Sequence, residues 1–357
     1  MYLGFSLTPF GHHPAAWRRA ADIENLGFEA LLSQVARAEQ AGLDFVLLAD
    51  RLGARPVDDL SPVATAFEPT TLVAALATRV RRIGFVAAAA THQHEPYNLA
   101  RRFASLESIS HGRTGWVAVT SDDEGRDREY IDLVGALWDS WEDDAFIYDK
   151  ENGRFFQPDK MHVLNHKGEH FSVRGPLNVN RSPQGKPVLA QILTDESRAL
   201  AAHAAELVFL QSSSPSLAEE AAADFVKSLD AGKRSRTDTR ILANVSPFIA
   251  GMRAEALALH DALQADGDGP TQPLSGANLI GTPIDIADLL QQWFETGHID
   301  GFTILPPTSA TGDLFLSEVA PELQRRGLTG KPKGGSTLRH SLGLSRPTHP
   351  AALERAS

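Results

Sequence analysis

The chain contains no cysteine. Disulfides, thiolate metal sites and cysteine nucleophiles are therefore excluded, and the composition fits a reducing compartment. There is also no run of about 18 consecutive apolar residues, the length a membrane-crossing helix needs. The first residues, MYLGFSLTPFGHH, carry no basic leader and no apolar run of signal length. The expectation is a soluble, unprocessed, cytoplasmic protein. Positive charge is scarce: 34 Lys and Arg stand against 45 Asp and Glu, a net charge of -11. Nucleic-acid binding relies on clustered cations that neutralise phosphates, so that function is disfavoured. A Gly-rich turn after the first strand is missing too, because SLTPFGHH is no dinucleotide fingerprint.

What is present is a repeat. A length of 357 residues suits one large α/β domain with insertions better than two independent domains. Eight β-rich runs recur at 2–7, 45–50, 83–90, 115–121, 187–193, 207–213, 241–251 and 301–307. Several are apolar throughout, as parallel strands covered on both faces should be. Each is followed by helical spacing. In FEALLSQVARAEQAG, residues Phe28, Leu31, Leu32, Val35 and Ala38 form one stripe, and Gly42 supplies the stop. Eight such units predict a (β/α)8 TIM barrel, with a doubly wound sheet as the other fold considered. Residues 143–186 are polar and rich in Gly, Pro and Asn, which reads as an ordered excursion between strands 4 and 5. Residues 252–297 hold two helical patterns around ADGDGPTQPLSG, so the seventh connection is enlarged. The expectation is one barrel domain over 1–329 and a C-terminal tail over 330–357, lying on the surface or against a neighbouring subunit.

Five stretches carry a resemblance: GHHPAAWR (11–18), EPYNLARRFASLESISHGRTGW (95–116), LWDSWEDDAF (137–146), HKGEHFSVRGPLNVNRSPQGKPV (166–188) and PELQRRGL (321–328). With these the chain resembles the luciferase-like flavin-dependent monooxygenases, within them the nitrilotriacetate, EDTA and dibenzothiophene-sulfone monooxygenase subgroup. The likeness covers nearly the whole chain. It implies reduced FMN bound at the C-terminal ends of the strands, delivered by a separate flavin reductase, and O2 used to oxygenate a small organic substrate. The protein's share of such chemistry is to position the cofactor, exclude water and orient the substrate. The resemblance also implies a homodimer formed through barrel helices, for which FASLESISHG offers small residues.

Carried over residue by residue, the flavin site is altered. Asp50 matches the acidic residue that ends the second strand. Ala88 stands where the family has a threonine beside the isoalloxazine, and Val117 where an asparagine follows the tryptophan. A longer loop bearing a histidine and a tyrosine is replaced by DDEGRDRE, so Tyr130 reads as a core-facing ring. At the phosphate turn Leu193 replaces a glycine and Asp195 a serine. Asp195 and Glu196 suit a helix N-terminus and compete with a phosphate for it. Thr194 and Ser197 could donate to a phosphate or cap the helix.

His92 and His94, two apart in THQHE, would face the same way from an extended backbone at the barrel mouth. They are the candidate catalytic residues, as substrate-orienting groups or a proton relay. A metal there would need a third ligand such as His12, His13 or Asp50, and none is assigned. His162, His166 and His170 recur every four residues, but Gly168 and the polar setting favour a loop with a structural role. Three functions follow: an FMN-dependent monooxygenase, a non-catalytic barrel serving as partner subunit or small-molecule binder, and histidine-based chemistry in the mouth.

Overall fold

The computed structural model describes residues 1–19, 27–50, 67–266, 274–330 and 336–356. All eight apolar runs form parallel strands: β1 (Tyr2–Ser6), β2 (Phe45–Leu48), β3 (Gly84–Ala90), β4 (Thr114–Val119), β5 (Val188–Leu193), β6 (Leu207–Leu210), β7 (Arg240–Ile249) and, after a further strand β8 (Ala277–Gly281), β9 (Gly301–Ile304). Their order around the sheet is β6-β5-β4-β3-β2-β1-β9-β7, and β7 pairs back onto β6. The sheet is thus a closed barrel, the (β/α)8 fold, rather than an open doubly wound sheet.

Helices follow the strands: α1 (Phe28–Gln40), α2 (Pro69–Leu76), α3 (Pro96–Ser110), α4 (Glu124–Leu137), α5 (Arg198–Ala204) and α6 (Pro215–Ala231) after β1 to β6. The seventh connection holds α7 (Arg253–Asp266), β8 and α8 (Pro283–Glu295). Sequence reading found its two helices and missed β8, which is short and pairs outside the ring on the C-terminal half of β7, from Val245 to Ile249. After β9 come α9 (Ser309–Leu314) and α10 (Ala320–Arg325).

Strand alternation divides the apolar side chains into two cores. Outward residues such as Phe85, Trp116, Val208 and Phe302 pack with the helices. Inward residues, among them Phe45, Val86, Ala88, Val117, Phe209 and Leu242, fill the barrel. Phe45 uses the space left by Gly4, where a Cβ would lie 2.3 Å from its ring.

The tail departs from expectation. Leu338 in α11 (Leu338–Ser341), Leu342 and Leu344 are buried in the inward core and plug the barrel's N-terminal end. Gly84, the first residue of β3, and Gly115, the second of β4, form the seat: a Cβ on Gly84 would lie 2.6 Å from Leu338. Three apolar residues spaced over seven positions were legible in STLRHSLGLS; what they cover was not. Arg240 fixes this plug by donating to the carbonyls of Leu342 and Gly343 at 2.7 and 2.6 Å.

Between α4 and β5 the chain forms two small hairpins, Phe146–Asp149 with Arg154–Phe156 and His166–Lys167 with Ser172–Val173. The histidines of this segment are not aligned on a helix. His166 pairs with Glu129 of α4 at 2.8 Å, and the same carboxylate accepts from the His170 and Phe171 backbone at 2.9 and 3.0 Å. These donors hold the Glu129 pKa down to about 2. The run FASLESISHG is largely spent inside the monomer, with Phe103, Ala104, Leu106, Glu107 and Ser110 buried. Among the described residues no helix is long and apolar enough to cross a membrane.

Candidate functional site

Ala88 and Val117 lie side by side, Cα partners across β3 and β4, both buried and inward. Their placement follows from the outward packing of Trp116. Its indole N–H donates to the Ala89 carbonyl at 2.9 Å, and its ring meets Phe103, Tyr130 and Trp138 at about 6 Å. With Trp116 outward, Val117 must face the barrel. The pair makes an apolar wall with no hydrogen-bonding group.

Asp50 lies just beyond β2, half-buried, and acts electrostatically on His94. Burial lowers the His94 pKa and Arg102 adds to this, with Glu68 and Asp50 opposing. The extended His92/His94 pair is corrected: residues 91–94 form a turn, His92 is exposed and His94 half-buried. Pro96 opens α3 directly after, so the chain must bend here to enter the helix. Tyr130 is fully buried and donates to the His94 carbonyl at 2.9 Å, a core ring with a structural contact. Among the described residues neither histidine belongs to a group that could ligate a metal.

The short β4–α4 loop is held by a residue that sequence reading passed over. Asp127 is fully buried and accepts from Thr91 Oγ1 at 2.5 Å, and from the backbone N–H and hydroxyl of Ser121 at 2.5 and 3.0 Å. Asp123 caps α4 by accepting from Arg126 N at 2.9 Å. Asp127 therefore binds the ends of β3 and β4 together. The available signal was a carboxylate one turn inside a helix, four residues after its cap.

At the β5–α5 turn, Thr194 N donates to Ser197 Oγ at 2.9 Å, Ser197 N donates to Thr194 Oγ1 at 3.1 Å, and Ser197 Oγ donates to the Ile192 carbonyl at 2.9 Å. Ser197 occupies the N-cap position but caps no helical N–H, so the capping expected of Thr194 and Ser197 is corrected to closure of the turn on itself. Asp195 is exposed and pairs with Arg198. A phosphate would meet two carboxylates and backbone donors already engaged. The turn does not fit the phosphate of FMN.

Polar atoms without partners gather elsewhere in the mouth. Ser6, Asn244 and Thr303 share the inward face of β1, β7 and β9: Thr303 is the Cα partner of both Gly4 and Asn244, and Ser6 lies two residues beyond Gly4. Ser6 Oγ, Thr303 Oγ1, Asn244 Oδ1 and His12 Nε2 are buried with no hydrogen-bond partner. The His12 backbone N–H donates to the Pro306 carbonyl at 2.8 Å, anchoring the loop after β1 over the barrel. Its ring hydrogen-bonds to the Ser6 backbone, and burial holds its pKa down to about 4, so the imidazole is neutral at pH 7. Unpaired buried polar atoms are costly and mark a place where a polar ligand is recognised. Sequence reading named His12 only as a spare metal ligand. The signal for the others was a polar residue at an inward position of an apolar strand.

A closed (β/α)8 barrel with an apolar wall and orphaned polar groups at its C-terminal mouth defines a small-molecule site of the enzyme kind. The luciferase-like monooxygenase family matches residues 8–295. Nitrilotriacetate monooxygenase component A of Aminobacter aminovorans is 34% identical, the match covering 99% of this chain and 98% of that protein. One of the subunits of pristinamycin IIA synthase from Streptomyces pristinaespiralis is 45% identical over 53% of this chain and 66% of its own length. The structure of EDTA monooxygenase from Chelativorans sp. BNC1 superposes with a TM-score of 0.83 at 29% identity, covering 98% and 99% of the two chains. The chain belongs to the luciferase-like monooxygenase family and is a flavin-dependent monooxygenase by class.

Proposed function

We propose that this chain is the oxygenating component of a two-component system in the cytoplasm, taking reduced FMN from a separate reductase and using O2 on a small organic substrate. The observation that carries this is the set of four unpaired polar atoms of Ser6, His12, Asn244 and Thr303 in the barrel mouth. They supply hydrogen-bonding groups for a substrate, with neutral His12 Nε2 and Asn244 Oδ1 as acceptors. Ala88 and Val117 give the ring system an apolar wall, and Asp50 stands at the rim. Thr194 and Asp195 would lie at the phosphate end without holding it, so oxidised FMN is expected to bind weakly. That a relative is named component A supports the pairing with a reductase. A homodimer is proposed on family grounds, with Ile109 and its neighbours on α3 as the exposed part of the face. Anaerobic titration with reduced FMN, with oxidised FMN and riboflavin as controls, tests the reading; binding of the reduced form near micromolar supports it.

The closed β5–α5 turn favours a second reading, in which the flavin is held by another luciferase-like chain and this one is its companion in a hetero-oligomer. The similarity to a synthase component that is itself named as a subunit supports it. No binding of reduced FMN by the isolated chain, with binding after mixing with such a partner, would select this reading.

A further inference from the structure

Away from the barrel mouth, three segments meet where α4 ends. Glu142 follows α4, His162 comes from the excursion and His349 from the tail. One ligand atom from each lies within 4.8 Å of the others. The His162 and His349 rings are 5.0 Å apart, and His162 Nε2 sits 3.1 Å from Glu142 Oε1. Glu142 and His349 are nearly buried, whereas the His162 side chain is 38% exposed and offers an entry path. We propose that Glu142, His162 and His349 form a binding site for a divalent transition ion of the zinc class, tying the C-terminal tail to the excursion.

The donor set is one zinc accepts, two imidazoles and a carboxylate with a fourth position left for water. His349 is already oriented for it. Its Nε2 donates to the Asp139 carbonyl at 2.9 Å, which fixes the tautomer and makes Nδ1 the nitrogen that would ligate, once the hydrogen bond it accepts has been broken. Among the described residues Nδ1 accepts one hydrogen bond, from the Ala351 N–H at 3.2 Å, and an ion must displace it. Both histidines also line a cavity of about 700 Å³ between α4, α5 and the tail, which gives a bound ion's fourth ligand room. Ligation at about 2.0–2.2 Å requires the three atoms to draw in by roughly an ångström, a movement the half-exposed His162 ring can supply.

Two competitors are present, the Ala351 N–H on His349 and a cation on Glu142. Arg355 pairs with Glu142 at 3.0 and 2.5 Å and must be displaced. This gives a test that incidental histidine binding would fail. The full-length chain, stripped with a chelator, is titrated with Zn²⁺ against a chromophoric competitor at pH 7.5. One equivalent bound at micromolar affinity or tighter is expected, raising the melting temperature. His162→Gln and Glu142→Gln, checked for folding by circular dichroism, should each weaken it by tenfold or more. Arg355→Ala should tighten it by about tenfold, because a cation next to the ion is removed. Absence of a tight equivalent in the parent chain, unchanged affinity in both Gln variants, or weaker binding in Arg355→Ala overturns the proposal.

Discussion

Thr194 and Ser197 satisfy each other: each backbone N–H donates to the other's hydroxyl, at 2.9 and 3.1 Å. The turn after β5 therefore spends on itself the donors that a phosphate would use. Replacing Leu193 with Gly and Asp195 with Ser should tighten FMN more than riboflavin, because only FMN carries the phosphate. The gain should be about tenfold, the scale of a charge-assisted hydrogen bond. Fluorescence titration with both ligands reads it. Equal changes, or tight FMN binding before substitution, would place the phosphate elsewhere.

Acid should act on His12 in a known direction. Its folded pKa of about 4 lies below the ordinary 6.5, so between these values the unfolded chain binds the extra proton and stability falls as pH falls. By pH 5 the loss attributable to this ring is roughly 2 kcal/mol. Asp44 works against it over nearly the same window. Burial raises its carboxyl to about 7, so the folded state holds the proton and stability rises as pH falls. The net curve is therefore uninformative, and the quantity to measure is the difference between the parent chain and His12→Asn in urea midpoints at pH 7.5 and 5. The parent should lose more.

Asp127 joins two strand ends, so its removal should be felt globally. Asp127→Ala strands Thr91 and Ser121 donors and is expected to cost about 3 kcal/mol. Asp127→Asn, which keeps one acceptor, should cost less. Urea denaturation of the two variants gives the comparison, and equal losses would show that shape rather than hydrogen bonding matters there.

Leu338→Ala should cost about 2–5 kcal/mol, the range for an emptied leucine site in a core. A change within experimental error would mean that the tail does not seal the barrel in solution. Gly84→Ala provides a converse check, since its methyl would push into the same leucine.

The barrel was legible because several strands are apolar on both faces and the helices between them carry apolar stripes, and neither signal depends on distant contacts. Strand β8 was hidden because five residues that follow Gly276 and end in Gly281 pair only with the overhang of β7. In the site, the inward apolar placement of Ala88 and Val117 followed from strand alternation, since each concerns one side chain at one position. The turn at His92–His94 could not be read, because Pro96 constrains the backbone before it. The grouping of Ser6, His12, Asn244 and Thr303 was equally closed to reading: it depends on β1, β7 and β9 being adjacent in the ring, and their sequence positions are far apart.

That ring closes late. The first strand pairs with β9, the last strand of the barrel, and the floor is then filled by Leu338, Leu342 and Leu344. Long-range pairings of this kind are the slow part of assembly. While the chain is being synthesised, the inward faces of the early strands therefore wait, open at the bottom, until nearly the whole sequence has left the ribosome. A released chain ending before residue 338 would present a barrel with a wet, apolar hole, a form well suited to capture by chaperones or to aggregation.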